Sequence, residues 1–89
     1  MEDIEYLKKQ ITTIVNLYNT KRFLDVIHKG KVLLKKYPNQ IILYNAVSLS
    51  LSAIEKHSEA LDMLKKALSV QPNNIFDLNN LGLINSKLN

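Results

Sequence analysis

Residues 41–74 read IILYNAVSLSLSAIEKHSEALDMLKKALSVQPNN. Apolar residues recur at helical spacing on both sides of a short turn near Glu55, and Pro72 stops the second run. The stretch predicts two short amphipathic helices forming a hairpin. Pro38 and Pro72 stand 34 residues apart, each followed by asparagine. When residues 38–55 are set against 72–89, six of the 18 pairs are identical, among them Asn45/Asn79, Leu49/Leu83 and Ser52/Ser86. A helical hairpin copied at that period predicts repeats stacked side by side, each burying a face that it cannot bury alone.

Working outward, residues 3–19 carry Ile4, Leu7, Ile11, Ile14 and Tyr18 on one predicted helical stripe. Asn19-Thr20-Lys21 reads as a turn. A second helix is expected over 22–37, with Phe23, Val26, Ile27, Leu33 and Leu34 inward and Lys29, Lys31, Lys35 and Lys36 toward solvent. Gly30 interrupts it at a cost of about 1 kcal/mol relative to alanine, which implies room left for a neighbouring helix. Helix three is expected over 40–54 with Asn39 as its N-cap, and helix four over 58–70. A fifth begins after Pro72, where Asn74 and Asp77 have the spacing of a capping box. Local ion pairs are expected from Glu5 to Lys8 and Lys9, and from Asp62 to Lys65 and Lys66.

Composition narrows the function classes. The 89 residues hold no cysteine, so neither a disulfide frame nor a thiolate site exists. The acidic, polar start is unlike a secretory leader, and no apolar run approaches the roughly 20 residues that span a bilayer. A cytoplasmic protein is the expectation. Net charge is +4, and all of the excess lies in residues 1–40, which hold eight Lys/Arg against four Asp/Glu. That basic excess could touch nucleic acid, but aromatic interleaving is missing and solvated lysines are the simpler account. His28 and His57 have no partner at metal-ligand spacing, and no nucleophile is set by a glycine turn, so neither a metal, a cofactor nor an enzymatic function is expected.

Tyr44, Val47, Ser48, Leu51, Ala60, Leu61, Ala67 and Pro72 together resemble the tetratricopeptide repeat (TPR). Leu78, Leu81 and Gly82, within Asn-Asn-Leu-Gly, continue the pattern. Two positions depart from it: Leu51 fills an aromatic slot, and Glu55 stands where the family prefers glycine. The second predicts a strained or shifted turn, because that position often needs positive φ. The resemblance implies an all-α fold, a right-handed α-solenoid of antiparallel helix pairs with about two and a half units and five helices. Residues 1–89 would form one domain, divided into repeat one (1–40), repeat two (41–74) and a half repeat (75–89). Because helix five would end with Leu81, Ile84 and Leu88 uncovered, either a longer array or self-association through that helix is expected.

The same resemblance implies a protein–protein interaction scaffold that takes a peptide or partner segment in a concave groove. Its inner column would be Lys8, Ile11, Val15 and Tyr18, then Ile42, Asn45, Leu49 and Ser52, then Phe76, Asn79, Leu83 and Ser86. Ile11, Val15, Ala46, Phe76 and Asn80 occupy the positions where some members clamp a carboxylate, so that clamp is absent. A regulatory or substrate-presenting segment of a larger, transferase-type enzyme is the alternative.

Overall fold

The computed structural model describes residues 2–73, and these are all-helical. Four helices follow in order, α1 (Glu2–Asn19), α2 (Phe23–Lys36), α3 (Ile41–Ala53) and α4 (His57–Val70). No strand occurs among the described residues. The fifth helix expected after Pro72, with Asn74 and Asp77, lies outside them.

The 34-residue period reappears in the backbone. Helix α2 and helix α4 are both 14 residues long, and α4 starts 34 positions after α2. The turns joining each helix to its hairpin partner match bond for bond. After α1, the Arg22 N–H donates to the Leu17 carbonyl (2.8 Å) and the Lys21 N–H to Tyr18 (3.0 Å). After α3, the Lys56 N–H donates to Leu51 (2.8 Å) and the Glu55 N–H to Ser52 (3.0 Å). Both are Schellman motifs, in which a left-handed residue lets two amides turn back onto the last carbonyls. Lys21 (φ 62°) and Glu55 (φ 67°) are the left-handed residues. The strained turn expected at Glu55 is therefore present, and its counterpart at Lys21 falls in the turn read over residues 19–21, where a lysine does not mark a left-handed position.

The connection between hairpins differs. The Gln40 N–H donates to Tyr37 O at 3.3 Å, closing a turn over Tyr37, Pro38, Asn39 and Gln40. Pro38 sits at the second position of that turn, where its fixed φ is favoured. Asn39 is used up in the turn, so Gln40 and not Asn39 is the N-cap of α3, without a side-chain capping bond. The Tyr44 hydroxyl donates to Pro38 O at 2.7 Å and ties the turn to the following helix.

Helix α3 is the centre of the bundle and packs against α1, α2 and α4. Its apolar character on nearly every side follows from that position. Leu43, Val47 and Leu51 are buried in it, beside Val26, Leu33 and Leu34 of α2 and Ala60, Leu64 and Ala67 of α4. Ile14 is the buried residue that α1 contributes, whereas Ile4, placed on the same stripe by its spacing, is 58% exposed. Gly30 lies against Val47, whose Cγ2 occupies the space that a Cβ at Gly30 would take. The glycine thus lets α2 and α3 approach closely.

Three ion pairs form among the described residues, Arg22–Asp25, Lys36–Asp3 and Lys56–Glu59. The pairs expected at Glu5 and Asp62 are not among them. Lys36 is also not simply a solvated lysine. Its ammonium lies 3.5 Å from Asp3, 5.2 Å from the centre of the Tyr6 ring and 5.5 Å from that of Tyr37. The Asp3 carboxylate first, then Tyr37, holds its pKa above that of a free lysine.

Ser50 is fully buried, and its hydroxyl has no hydrogen-bond partner among the described residues. Ser48, equally buried, donates to Asn45 O at 3.0 Å. A buried hydroxyl without a partner costs about 1–3 kcal/mol. Ser50→Ala is therefore expected to stabilise the fold by about 1 kcal/mol in urea unfolding. Ser48→Ala loses a bond that is made and should show no gain. Equal effects at both positions would mean that the Ser50 hydroxyl is satisfied in solution.

Candidate functional site

Helices α1 and α3 are not flush along their shared edge. Val15 and Tyr18 of α1 and Ile42, Asn45, Ala46 and Leu49 of α3 line a cleft of about 210 Å³ between them. Positions 42, 46 and 49 follow one another at helical spacing, so they form one stripe of α3. Val15 (38% exposed) and Ile42 (41% exposed) are large apolar side chains open to solvent at this edge. The Tyr18 ring is held from behind by Phe23 in an edge-on contact at 5.7 Å. No charged side chain lines the cleft.

Asn45 supplies the polar function. Its Oδ1 is buried, yet no hydrogen-bond partner reaches it among the described residues. An amide oxygen removed from water without a partner is costly, and a donor brought in by a ligand removes that cost. The cleft therefore offers an almost wholly apolar wall, with one unpartnered acceptor buried behind it.

Several residues expected in the groove column lie elsewhere. Ser52 is engaged within the chain, its Oγ 3.3 Å from His57 Nδ1, where it bridges the end of α3 to the start of α4. Ile11 is half-buried against the core and Lys8 is exposed; neither lines the cleft. Ala46 does line it, although the sequence marked it only as a departure from a carboxylate clamp; its place four residues after Ile42 was the available signal. Phe76, Asn79, Leu83 and Ser86 lie outside the described residues.

A second, wider cleft of about 610 Å³ opens between α1 and α2, lined by Thr13, Leu17, Arg22, Asp25, His28, Lys29 and Val32. Asp25 and His28 both line it, but the Asp25 carboxylate is taken by Arg22 Nε at 2.9 Å. The Ser52–His57 pair resembles a base beside a hydroxyl only in composition, for its atoms close a turn. Among the described residues no cluster of three or more His, Cys, Asp or Glu side chains could hold a metal ion. No described helix is long and apolar enough to cross a membrane. Comparisons with protein-family models, with curated proteins and with solved structures give no match to this chain.

Proposed function

We propose that the chain is a non-enzymatic binding module of tetratricopeptide type, its hairpins stacked as a right-handed solenoid, and that the α1–α3 cleft takes a peptide or a partner segment. The stacking is supported by the matched turns and by the equal lengths of α2 and α4, 34 residues apart. One observation carries the binding role: the buried, unpartnered Oδ1 of Asn45 beside the exposed Val15 and Ile42. The guest that satisfies both is an uncharged segment, placing an aliphatic side chain against Val15, Ile42 and Leu49 and, as the cleft side chains part around it, donating a backbone N–H to the uncovered Asn45 Oδ1.

Random peptides displayed on phage and selected against the whole chain provide the test. Enriched peptides should be uncharged and aliphatic, and should shift the NMR methyl signals of Val15, Ile42 and Leu49. Asn45→Ala should weaken them about tenfold, since one hydrogen bond is lost, while the melting temperature holds or rises because an unpaired polar group has gone. Ile42→Asp should abolish binding by setting an unpaired charge in the cleft. Enriched peptides that bind Asn45→Ala and Ile42→Asp as tightly as the wild type would refute the proposal, as would a selection that enriches nothing.

A further inference from the structure

A separate crease runs between α2 and α4. Lys31, Leu34 and Lys35 of α2, Tyr44 of α3, and Met63 and Lys66 of α4 line a space of about 230 Å³. Its floor is apolar, with Leu34 and Tyr44 each 8% exposed and Met63 half-buried. The three lysines are exposed at its rim, and no carboxylate is among the lining residues. None of the three takes part in an ion pair among the described residues, whose pairs use Arg22, Lys36 and Lys56 instead. Asp62 stands four residues before Lys66, the spacing of a helical ion pair, yet the pair is not made. Lys31 and Lys35 are one turn apart and repel each other.

We infer that this crease is a second interaction surface, which binds an acidic peptide segment carrying an apolar side chain between its carboxylates. Charge complementarity decides the occupant. Three ammonium groups that make no ion pair among the described residues, with no acid lining the crease, attract carboxylates, and the floor of Leu34, Tyr44 and Met63 receives one side chain. A nucleic acid fits less well. The buried Tyr44 ring has no open face for a base to stack on, and its hydroxyl is already given to Pro38. A second copy of the chain is not favoured either, because the chain carries a net charge of +4 and two copies repel each other. The surface is independent of the α1–α3 cleft and shares no lining residue with it.

The test uses a fluorescein-labelled peptide of glutamates interrupted by leucine, read by anisotropy on the whole chain at about 0.02 M and about 0.15 M salt. The wild type should bind it, and more weakly at the higher salt. Lys31→Gln, Lys35→Gln and Lys66→Gln together should weaken it about tenfold, each exposed contact being worth roughly a factor of two. A control triple at Lys8, Lys9 and Lys21 removes the same charge away from the crease and should change affinity less than about twofold. Helical circular dichroism should be the same for all three proteins. Equal loss in both triples would reduce the effect to net charge and overturn the inference. Failure of the peptide to bind at low salt would overturn it too, as would single-stranded RNA that binds more tightly with the same lysine dependence.

Discussion

Gly30→Leu is expected to lower the stability of the domain by about 3 kcal/mol, the upper range for overpacking a filled core. For a domain of this size that corresponds to a fall of about 15 °C in melting temperature. Leucine is the residue at the equivalent position of the next hairpin, Leu64, where it is fully buried. It cannot stand at 30, because Val47 Cγ2 already fills the place of the first carbon. Val47 is β-branched and fixed in a helix, so it has few rotamers in which to yield. Gly30→Ala separates the two terms. Helix propensity alone would make it stabilising by about 1 kcal/mol, so a net loss reports the clash. Val47→Ala should then rescue Gly30→Ala, and the two changes together should cost less than the sum of their separate effects. Additive losses would show that α2 and α3 do not meet at this point.

That contact shows how a sequence repeat and a packing repeat can diverge. Val26, Gly30 and Leu33 in α2 occupy the positions of Ala60, Leu64 and Ala67 in α4, and all six are buried. The sizes are exchanged: large, none, large in one hairpin, and small, large, small in the other. Each set keeps a filled interface because the interior is close-packed and volume must be conserved across it. Ala60 and Ala67 of the second set are among the residues that carry the resemblance to a known repeat. The first set differs from the second in size at each position and still forms a helix of the same length ending at the same relative residue.

The helices were legible because two strong signals, apolar spacing and the proline stops at 38 and 72, agree on their register. Hairpin ends were less so. Asn39 has the right chemistry to cap a helix, but the turn that Pro38 initiates consumes it, and Gln40 takes the place. Ser52 repeats at Ser86, which marked it for the groove, yet the Schellman turn swings His57 back within 3.3 Å and engages it. Lys36 has the spacing of a solvated lysine; only the antiparallel return of α2 along α1 brings it to Asp3 and Tyr6. In each case the deciding partner is set by the turn geometry or by another helix, and no local pattern contains it. Ile42, Asn45 and Leu49, which the resemblance implies for the groove column, share one stripe of α3 and so reach the cleft together. The three-lysine crease was not legible, because Lys66 joins Lys31 and Lys35 only through the packing of α2 against α4 beneath Tyr44.

Glycine at both left-handed positions, Lys21→Gly with Glu55→Gly, is expected to stabilise the domain by about 2 kcal/mol and raise the melting temperature by about 10 °C. A side chain in the left-handed region costs about 1–2 kcal/mol through the approach of Cβ to the backbone carbonyl. Glycine removes that cost and returns part of it as the larger freedom of the unfolded chain. A net gain of about 1 kcal/mol remains at each turn. Each motif is closed by its own pair of backbone bonds and shares none with the other, so the gains should add. Asparagine, which tolerates the same region, should give part of the gain at either position. The lysine and the glutamate are both exposed, and neither appears in an ion pair among the described residues, so little is lost with the side chains. Equal gains at 21 and 55 would show that the two turns are energetically equivalent copies as well as geometric ones. A loss at either position would mean that the bend there is set by its side chain, and the match of the two hairpins would then be one of shape alone.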